Sequence, residues 1–253
     1  MNRWILIAGG LVLYVLTIIA TAPATLIDTA LRRIDHGNLR LAEAQGTLWS
    51  GSGQFELRAT DGRSGVAKFL SWRVLPVSLL SGHINVKVQI AHNTQPFIAT
   101  IAMSGISLAN ADIEFPAIAL GLGVRRLAPL RLTGNMMLHV TEFSFGRRWR
   151  QGQLTLLWRN AGTMLASTVP LGDYELSFES NGETEQVNLR TIKGSLQLDG
   201  NGSWRHGSDP DVLITAQVPD LLRPQLGPLL RLISTERTPG HFQLHAAQIN
   251  PLH

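Results

Sequence analysis

Histidine and carboxylate side chains are the groups in this sequence best suited to bind a metal or to transfer a proton. His241 and His245 would lie on one face of a predicted strand, as two metal ligands would. No third ligand accompanies them at metal-site spacing, so a solvated strand face is the favoured interpretation. The sequence therefore predicts no metal site.

Carboxylate pairs and catalytic motifs indicate no active site either. Glu183 with Glu185 lie in turn-like sequence, as do Asp209 with Asp211, and turn chemistry accounts for both pairs. The sequence lacks G-x-S-x-G, H-E-x-x-H and the phosphate-binding G-x-x-x-x-G-K-[ST]. GLGVRR at 121–126 has two glycines of a dinucleotide loop, but arginines follow where the third should be. We therefore expect a protein that is not an enzyme and has no cofactor.

Arginine and tryptophan alternate in RRWRQGQLTLLWRN at 147–160. These two residue types are enriched at interaction hot spots, which predicts a patch that binds a partner or a lipid headgroup. Stacking of arginine on tryptophan across a strand surface is the alternative. The candidate residues are Arg147, Arg148, Trp149, Arg150, Trp158 and Arg159.

The basic residues do not favour nucleic acid. The chain has 22 Lys and Arg against 18 Asp and Glu, a formal charge of +4. Its arginine clusters at 32–33, 125–126 and 147–150 are short and far apart, whereas a nucleic-acid binder concentrates charge on one face. Cysteine is absent, which excludes disulfides and a thiol nucleophile.

Glycine is concentrated in GTLWSGSGQF at 46–55, and the pattern returns as GSLQLDGNG at 194–202 with one extra residue. Glycine inside strand sequence usually marks a bulge or a sharp bend. We interpret these glycines as corners of a sheet rather than as a ligand loop. They are Gly46, Gly51, Gly53, Gly194, Gly200 and Gly202.

Apolar and polar residues alternate over much of the chain, as in HINVKVQI at 83–90 and again around 130–140, 174–178, 196–198 and 212–218. A period of two residues is typical of strands with one apolar face and one solvent-exposed face. Helical interruptions are predicted at 74–80, 115–124 and 219–234. The predicted fold is mainly β: a large, curved, mostly antiparallel sheet, open or rolled, with a few short helices.

An uncharged apolar stretch at 4–27 precedes this region and is long enough for a transmembrane helix. A cleaved signal peptide is the alternative, but Pro23 after Ala22 would make a poor cleavage site. Arg3 favours a cytoplasmic end at 1–3. Helix could continue from Leu26 to Ile34 after a kink or break at Pro23, and the predicted organisation goes on with a stalk at 28–45 and a periplasmic β domain at 46–253.

The apolar segment is followed, in this order, by AQGTLWSGSG at 44–53, LSWRVLPVSLLSGHINVKV at 70–88, PLGDYEL at 170–176 and GSLQLDGNGSW at 194–204. In these features the chain resembles the type II secretion system protein N family. The resemblance implies a single-pass protein of the inner membrane of a Gram-negative bacterium, with its bulk in the periplasm. The implied role is a non-enzymatic part of the machine that exports folded proteins through an outer-membrane secretin. The implied partners are other subunits, in the inner-membrane platform, the secretin or both.

Two functions remain open at the level of sequence. The first is this assembly role, in which a sheet edge or an apolar face contacts neighbouring subunits. The second is a periplasmic groove protein, anchored in the inner membrane, that binds or transports lipid. They differ in whether helices such as 219–234 close the apolar face of the sheet.

Overall fold

The computed structural model describes residues 3–34, 39–58, 65–90, 95–123, 127–146, 149–165, 170–231 and 234–245. This part of the chain contains 14 strands and only short helices after the N-terminal segment, which confirms the mainly β prediction. The chain divides into two compact units, Met1–Thr94 and Gln95–His253.

Where the structure describes it, the first unit contains two α-helices, one 3-10 helix and a four-stranded antiparallel sheet in chain order. Its elements are α1 (Arg3–Ala20), α2 (Thr25–Ile34), β1 (Leu39–Gly46), β2 (Ser50–Arg58), β3 (Gly65–Leu75), a 3-10 helix (Pro76–Ser81) and β4 (His83–Ile90). Helix α2 and strand β1 occupy most of the segment predicted to be a stalk. The predicted strand at 83–90 and the break at Pro23 are both confirmed.

Helix α1 presents large apolar side chains to its surroundings, from Trp4 (80% exposed) to Ile19 (47% exposed). Within the described residues, no helix combines the length and the apolarity that crossing a membrane requires.

In its described residues, the second unit contains ten strands and two short α-helices. Its elements are β5 (Phe97–Ala102), β6 (Gly105–Pro116), α3 (Ile118–Gly123), a 3-10 helix (Ala128–Leu130), β7 (Leu132–Gly146), β8 (Arg150–Thr163), β9 (Gly172–Asn181), β10 (Thr184–Gly194), β11 (Gln197–Arg205), β12 (Val212–Gln217), α4 (Arg223–Leu230), β13 (Thr235–Thr238) and β14 (His241–His245). The three helical interruptions that the sequence predicted therefore all contain helix.

Strands of the second unit follow chain order from β5 to β12, and β14 then lies between β12 and β13. All described pairings are antiparallel, and none of them closes the order into a ring. Alternation explains which face is buried. In β12, Val212 and Ala216 are buried while Leu213 between them is exposed on the opposite side.

The GTLWS segment forms a corner between β1 and β2 that binds the end of the first helix. The Trp49 indole Nε1 donates a hydrogen bond of 2.8 Å to the carbonyl of Ile19, and the Leu48 N–H donates one of 2.8 Å to the carbonyl of Ala22. Carbonyls at a helix C-terminus have no partner inside the helix. The Trp49 indole shares the Ile19 carbonyl with the Ala22 N–H, and Leu48 binds Ala22 just beyond the helix, so the corner ties the end of α1 to the sheet.

Glycine is required at this corner for two different reasons. Gly46 ends β1 with φ +89°, a left-handed conformation that disfavours a side chain. Gly51 lies opposite it, where a Cβ would be 2.5 Å from the ring of Trp72. Gly194 ends β10, whereas Gly53 lies within β2 and Gly200 and Gly202 lie within β11.

Helix α2 packs against the outer strand of the first sheet. Ala24, Leu41 and Trp72 form a buried cluster, with Ile27 and Leu31 of α2 against it. The Asp28 carboxylate accepts a 2.9 Å hydrogen bond from the Leu41 N–H, which covers a backbone donor on the edge of β1. The hydrogen bond from Arg32, together with the one from Leu41, holds the pKa of Asp28 below its usual range.

We expect Asp28→Asn to destabilise the first unit by about 1–2 kcal/mol at neutral pH, because a charge-assisted hydrogen bond is lost. The folded pKa is lowered, so the stabilisation is complete above the unfolded value of about 3.9 and disappears as pH falls through the folded value. Urea unfolding of the unmodified protein and of Asp28→Asn, from pH 7 down to a pH below the folded pKa of Asp28, measures the difference in stability. Asp209→Asn is the control, because Asp209 is exposed. If the difference in free energy of unfolding between the two proteins stays constant at low pH, ionised Asp28 does not stabilise the first unit.

Candidate functional site

The apolar face of the second unit is the most distinctive surface of the described chain. Helix α4 lies against this face of the sheet. Leu222, just before α4, and Leu226 within it are 7% and 3% exposed, and they pack with Phe242 of β14 and Leu196 beside β11. The predicted helical segment at 219–234 therefore covers part of the sheet.

A cavity of about 330 Å³ remains between the sheet and its helical cover. It is partly open to solvent, and almost all of the exposed atoms in its wall are carbon. Leu120 of α3 and Leu130 contribute from one side, and Leu226 and Leu230 of α4 from the other. Strand residues in the wall include Leu132, Met136, Leu156, Trp158, Tyr174, Leu176, Leu189, Leu198, Ile214, Ala216, Phe242 and Leu244.

Polar atoms on the lining side chains are bonded to the backbone. The Tyr174 hydroxyl donates a 2.9 Å hydrogen bond to the carbonyl of Leu196, and the Trp158 indole Nε1 donates one of 2.9 Å to the carbonyl of Thr133. The Thr163 hydroxyl likewise donates to the carbonyl of Leu130. Burial raises the pKa of the Tyr174 phenol above its usual range, and the Asp173 carboxylate adds to this. These bonds leave aromatic carbon and methyl groups facing the cavity.

An ion pair fixes the end of helix α4. The Arg231 guanidinium donates two hydrogen bonds, of 2.9 and 2.6 Å, to one oxygen of Glu236 at β13. The other oxygen of Glu236 accepts a 3.1 Å bond from the Gly240 N–H. The Arg231 and Gly240 bonds hold the pKa of Glu236 below its usual range. The three groups tie the helix to the outer hairpin of the sheet.

The same face of the sheet continues away from the cavity and ends at a buried carboxylate. Phe178 stacks at an angle on Phe143 and Trp204, with ring centroids 5.8 and 6.2 Å apart. Beyond these rings, Glu185 is 1% exposed and accepts a 2.7 Å hydrogen bond from His206. Arg150 lies 3.4 Å from its other oxygen. Glu185 is therefore a strand residue of β10, and only Glu183 is part of the turn, where Asn181 accepts its N–H.

The predicted Arg–Trp patch is divided by the structure. Trp149 is half-buried in the β7–β8 turn, Arg150 is paired with Glu185, and Trp158 lies in the cavity wall. Arg159 is exposed beside Trp158. These two residues are eight to ten residues from Trp149 and Arg150, which is roughly 26–33 Å along a strand. Arg147 and Arg148 lie outside the described residues. The role of these residues in binding a partner stays a prediction.

His241 and His245 lie in a strand, as the alternating sequence pattern predicted. His241 and His245 are the first and last residues of β14, and both are exposed. In the ranges that the structure describes, no three potential ligands are grouped closely enough to hold a metal ion.

The sequence left open whether the apolar face is closed or forms a groove, and it did not predict the residues that line the cavity. Its wall combines residues from seven strands with residues of α3 and α4, and their approach depends on the pairing of distant segments. The available signal was the run of leucines at 219–234 opposite strands with one apolar face. That signal indicates a covered face, but not how much of the face the helix leaves uncovered.

Comparison with protein-family models matches residues 37–245 to "Type II secretion system (T2SS), protein N". The matched range includes strands of both units. Comparisons with curated proteins and with solved structures returned no match.

We expect Leu226→Ala to lower the free energy of unfolding of the second unit by about 2–5 kcal/mol, because it removes buried contacts between α4 and the sheet. Leu221→Ala is the matched control, since Leu221 is 90% exposed and its truncation should change stability by less than about 0.5 kcal/mol. Urea unfolding followed by circular dichroism compares the two variants. Equal losses would show that α4 does not stabilise the fold.

Proposed function

The chain belongs to the type II secretion system protein N family, and from that premise we propose that it is a non-enzymatic component of a type II secretion system. In this proposal it is anchored in the inner membrane by its N-terminal segment. The chain after this segment, residues 28–253, lies in the periplasm and assists export of folded proteins across the outer membrane. The observation that carries the proposal is the family match over residues 37–245.

The N-terminal segment supports the anchored arrangement. Residues 4–27 carry no charged side chain, and the large apolar side chains of α1 are exposed rather than packed on the sheet. Apolar side chains exposed in this way are stabilised by lipid. The corner at Leu48 and Trp49 binds the end of α1 through backbone carbonyls, so the folded unit would begin directly where the anchor ends.

The outer strand of the second unit offers a surface for another subunit. Strand β13 pairs with β14 on one side, and its residues Thr235, Arg237 and Thr238 are exposed. An edge strand presents backbone donors and acceptors to which a partner strand can add. We propose this edge as one contact with neighbouring secretion subunits in the platform or the secretin.

Deletion of the chromosomal gene tests the proposed role. We expect a secreted hydrolase to accumulate, folded and active, in the periplasm, while a soluble periplasmic marker stays inside the cell. Complementation with the intact gene should restore secretion. Normal secretion in the deletion strain would contradict the role. So would leakage of both hydrolase and marker, because it would indicate a damaged outer membrane.

The absence of cysteine allows a direct test of the β13 edge. We expect a cysteine at Thr235 (Thr235→Cys), labelled through its thiol with a photoactivatable maleimide, to cross-link on illumination to another secretion subunit in living cells, identified by mass spectrometry. Ser208→Cys is the matched control, because Ser208 is exposed in the turn after β11 and away from the edge. Equal cross-linking from both positions, or none from Thr235→Cys, would exclude this edge as a contact.

A further inference from the structure

We propose that the cavity of the second unit binds a single fatty acyl chain. The proposal does not depend on the secretion role, since it follows from the cavity alone. Its volume of about 330 Å³ lies at the lower end of the range for ligand pockets, which is roughly 300–1,000 Å³. That size suits one narrow apolar ligand.

The chemistry of the wall decides the ligand class. Pockets for polar metabolites combine an apolar wall with a few polar groups that converge on the ligand. Here the hydroxyls of Tyr174 and Thr163 and the indole N–H of Trp158 are used by backbone carbonyls. A ligand inside this wall must therefore need no hydrogen bonds.

A peptide segment fits this wall poorly. Each residue of a peptide carries a backbone N–H and a carbonyl, and burying these groups without partners is costly. An acyl chain has no polar atom along its length. Because the cavity is partly open, the chain can enter while its polar headgroup stays in solvent.

The length of the bound chain gives the proposal a quantitative signature. Burial of one methylene strengthens binding about fourfold. Affinity should therefore rise by about this factor for each added methylene and then level off once the cavity is filled. Adsorption of fatty acid to exposed apolar surface would not level off in this way.

Two variants of β12 separate the cavity from the rest of the surface. Ala216 lies in the cavity wall, so Ala216→Phe fills part of the space. Leu213 is on the opposite face of the same strand and 36% exposed, so Leu213→Phe adds an aromatic ring outside the cavity. Circular dichroism establishes that each variant is folded. Should Ala216→Phe fail to fold, the chain-length series on the unmodified protein decides the question.

The test uses the full chain in membrane vesicles and two photoactivatable probes, a diazirine fatty acid and a phosphatidylethanolamine with a diazirine acyl chain. Mass spectrometry maps the adducts, and unlabelled saturated acids from octanoate to stearate compete with the fatty-acid probe. We expect adducts on lining residues such as Leu176 and Leu226, competition that improves about fourfold per methylene before levelling off, and loss of the adducts in Ala216→Phe but not in Leu213→Phe.

The probes also distinguish the source of the acyl chain. Labelling by the free acid supports a fatty acid, and labelling by the phospholipid alone supports a membrane lipid. If only the phospholipid probe labels the protein, the competition series is repeated with unlabelled phospholipids of increasing acyl-chain length in place of the fatty acids. Labelling by neither probe overturns the proposal. Adducts only outside the cavity, or competition without chain-length dependence, would also overturn it.

Discussion

The second unit is organised by one constraint: its strands have an apolar face that must be kept from water, and little helix is available to cover it. Seven neighbouring strands spaced about 4.8 Å apart make a face close to 30 Å wide. Helix α4 has 8 residues and is therefore about 12 Å long. It buries Leu226 against Phe242, and the α3 segment covers another part. The cavity lies where these two covers do not meet the sheet.

In the first unit, an exposed apolar helix is joined to a sheet. The sheet corner after β1 binds the end of α1 through Trp49, which donates to the Ile19 carbonyl, and binds the residue pair just beyond it through Leu48, which donates to the Ala22 carbonyl. Gly46 and Gly51 let the two strands turn closely enough for the corner to reach the helix. The stretch GTLWSGSG is thus a connection between helix and sheet.

Local patterns predicted most of the fold, because strand alternation is a property of neighbouring residues. The face formed by Val212, Ile214 and Ala216 follows from period two alone. The cavity could not be predicted, because Leu120 and Leu226 meet across a space whose size depends on the register of many strands. The position of Trp158 could not be predicted from its sequence neighbours either. Its arginine neighbours favoured an exposed patch, whereas the parity of β8 turns its ring toward Tyr174, with centroids 5.7 Å apart.

The order of strands in the second unit has a consequence for how the chain folds. From β5 to β12, the described pairings join each strand to the next in sequence, so closing each loop costs little chain entropy and hairpins can add one after another. Only β14 departs from this order, because it pairs with β12 after the chain has passed through α4 and β13. The hairpins from β5 to β12 can therefore pair before β14 adds to the sheet, so α4, unlike α3, belongs to the part of the chain that joins last. Until that step, the part of the apolar face under α4 stays exposed to solvent.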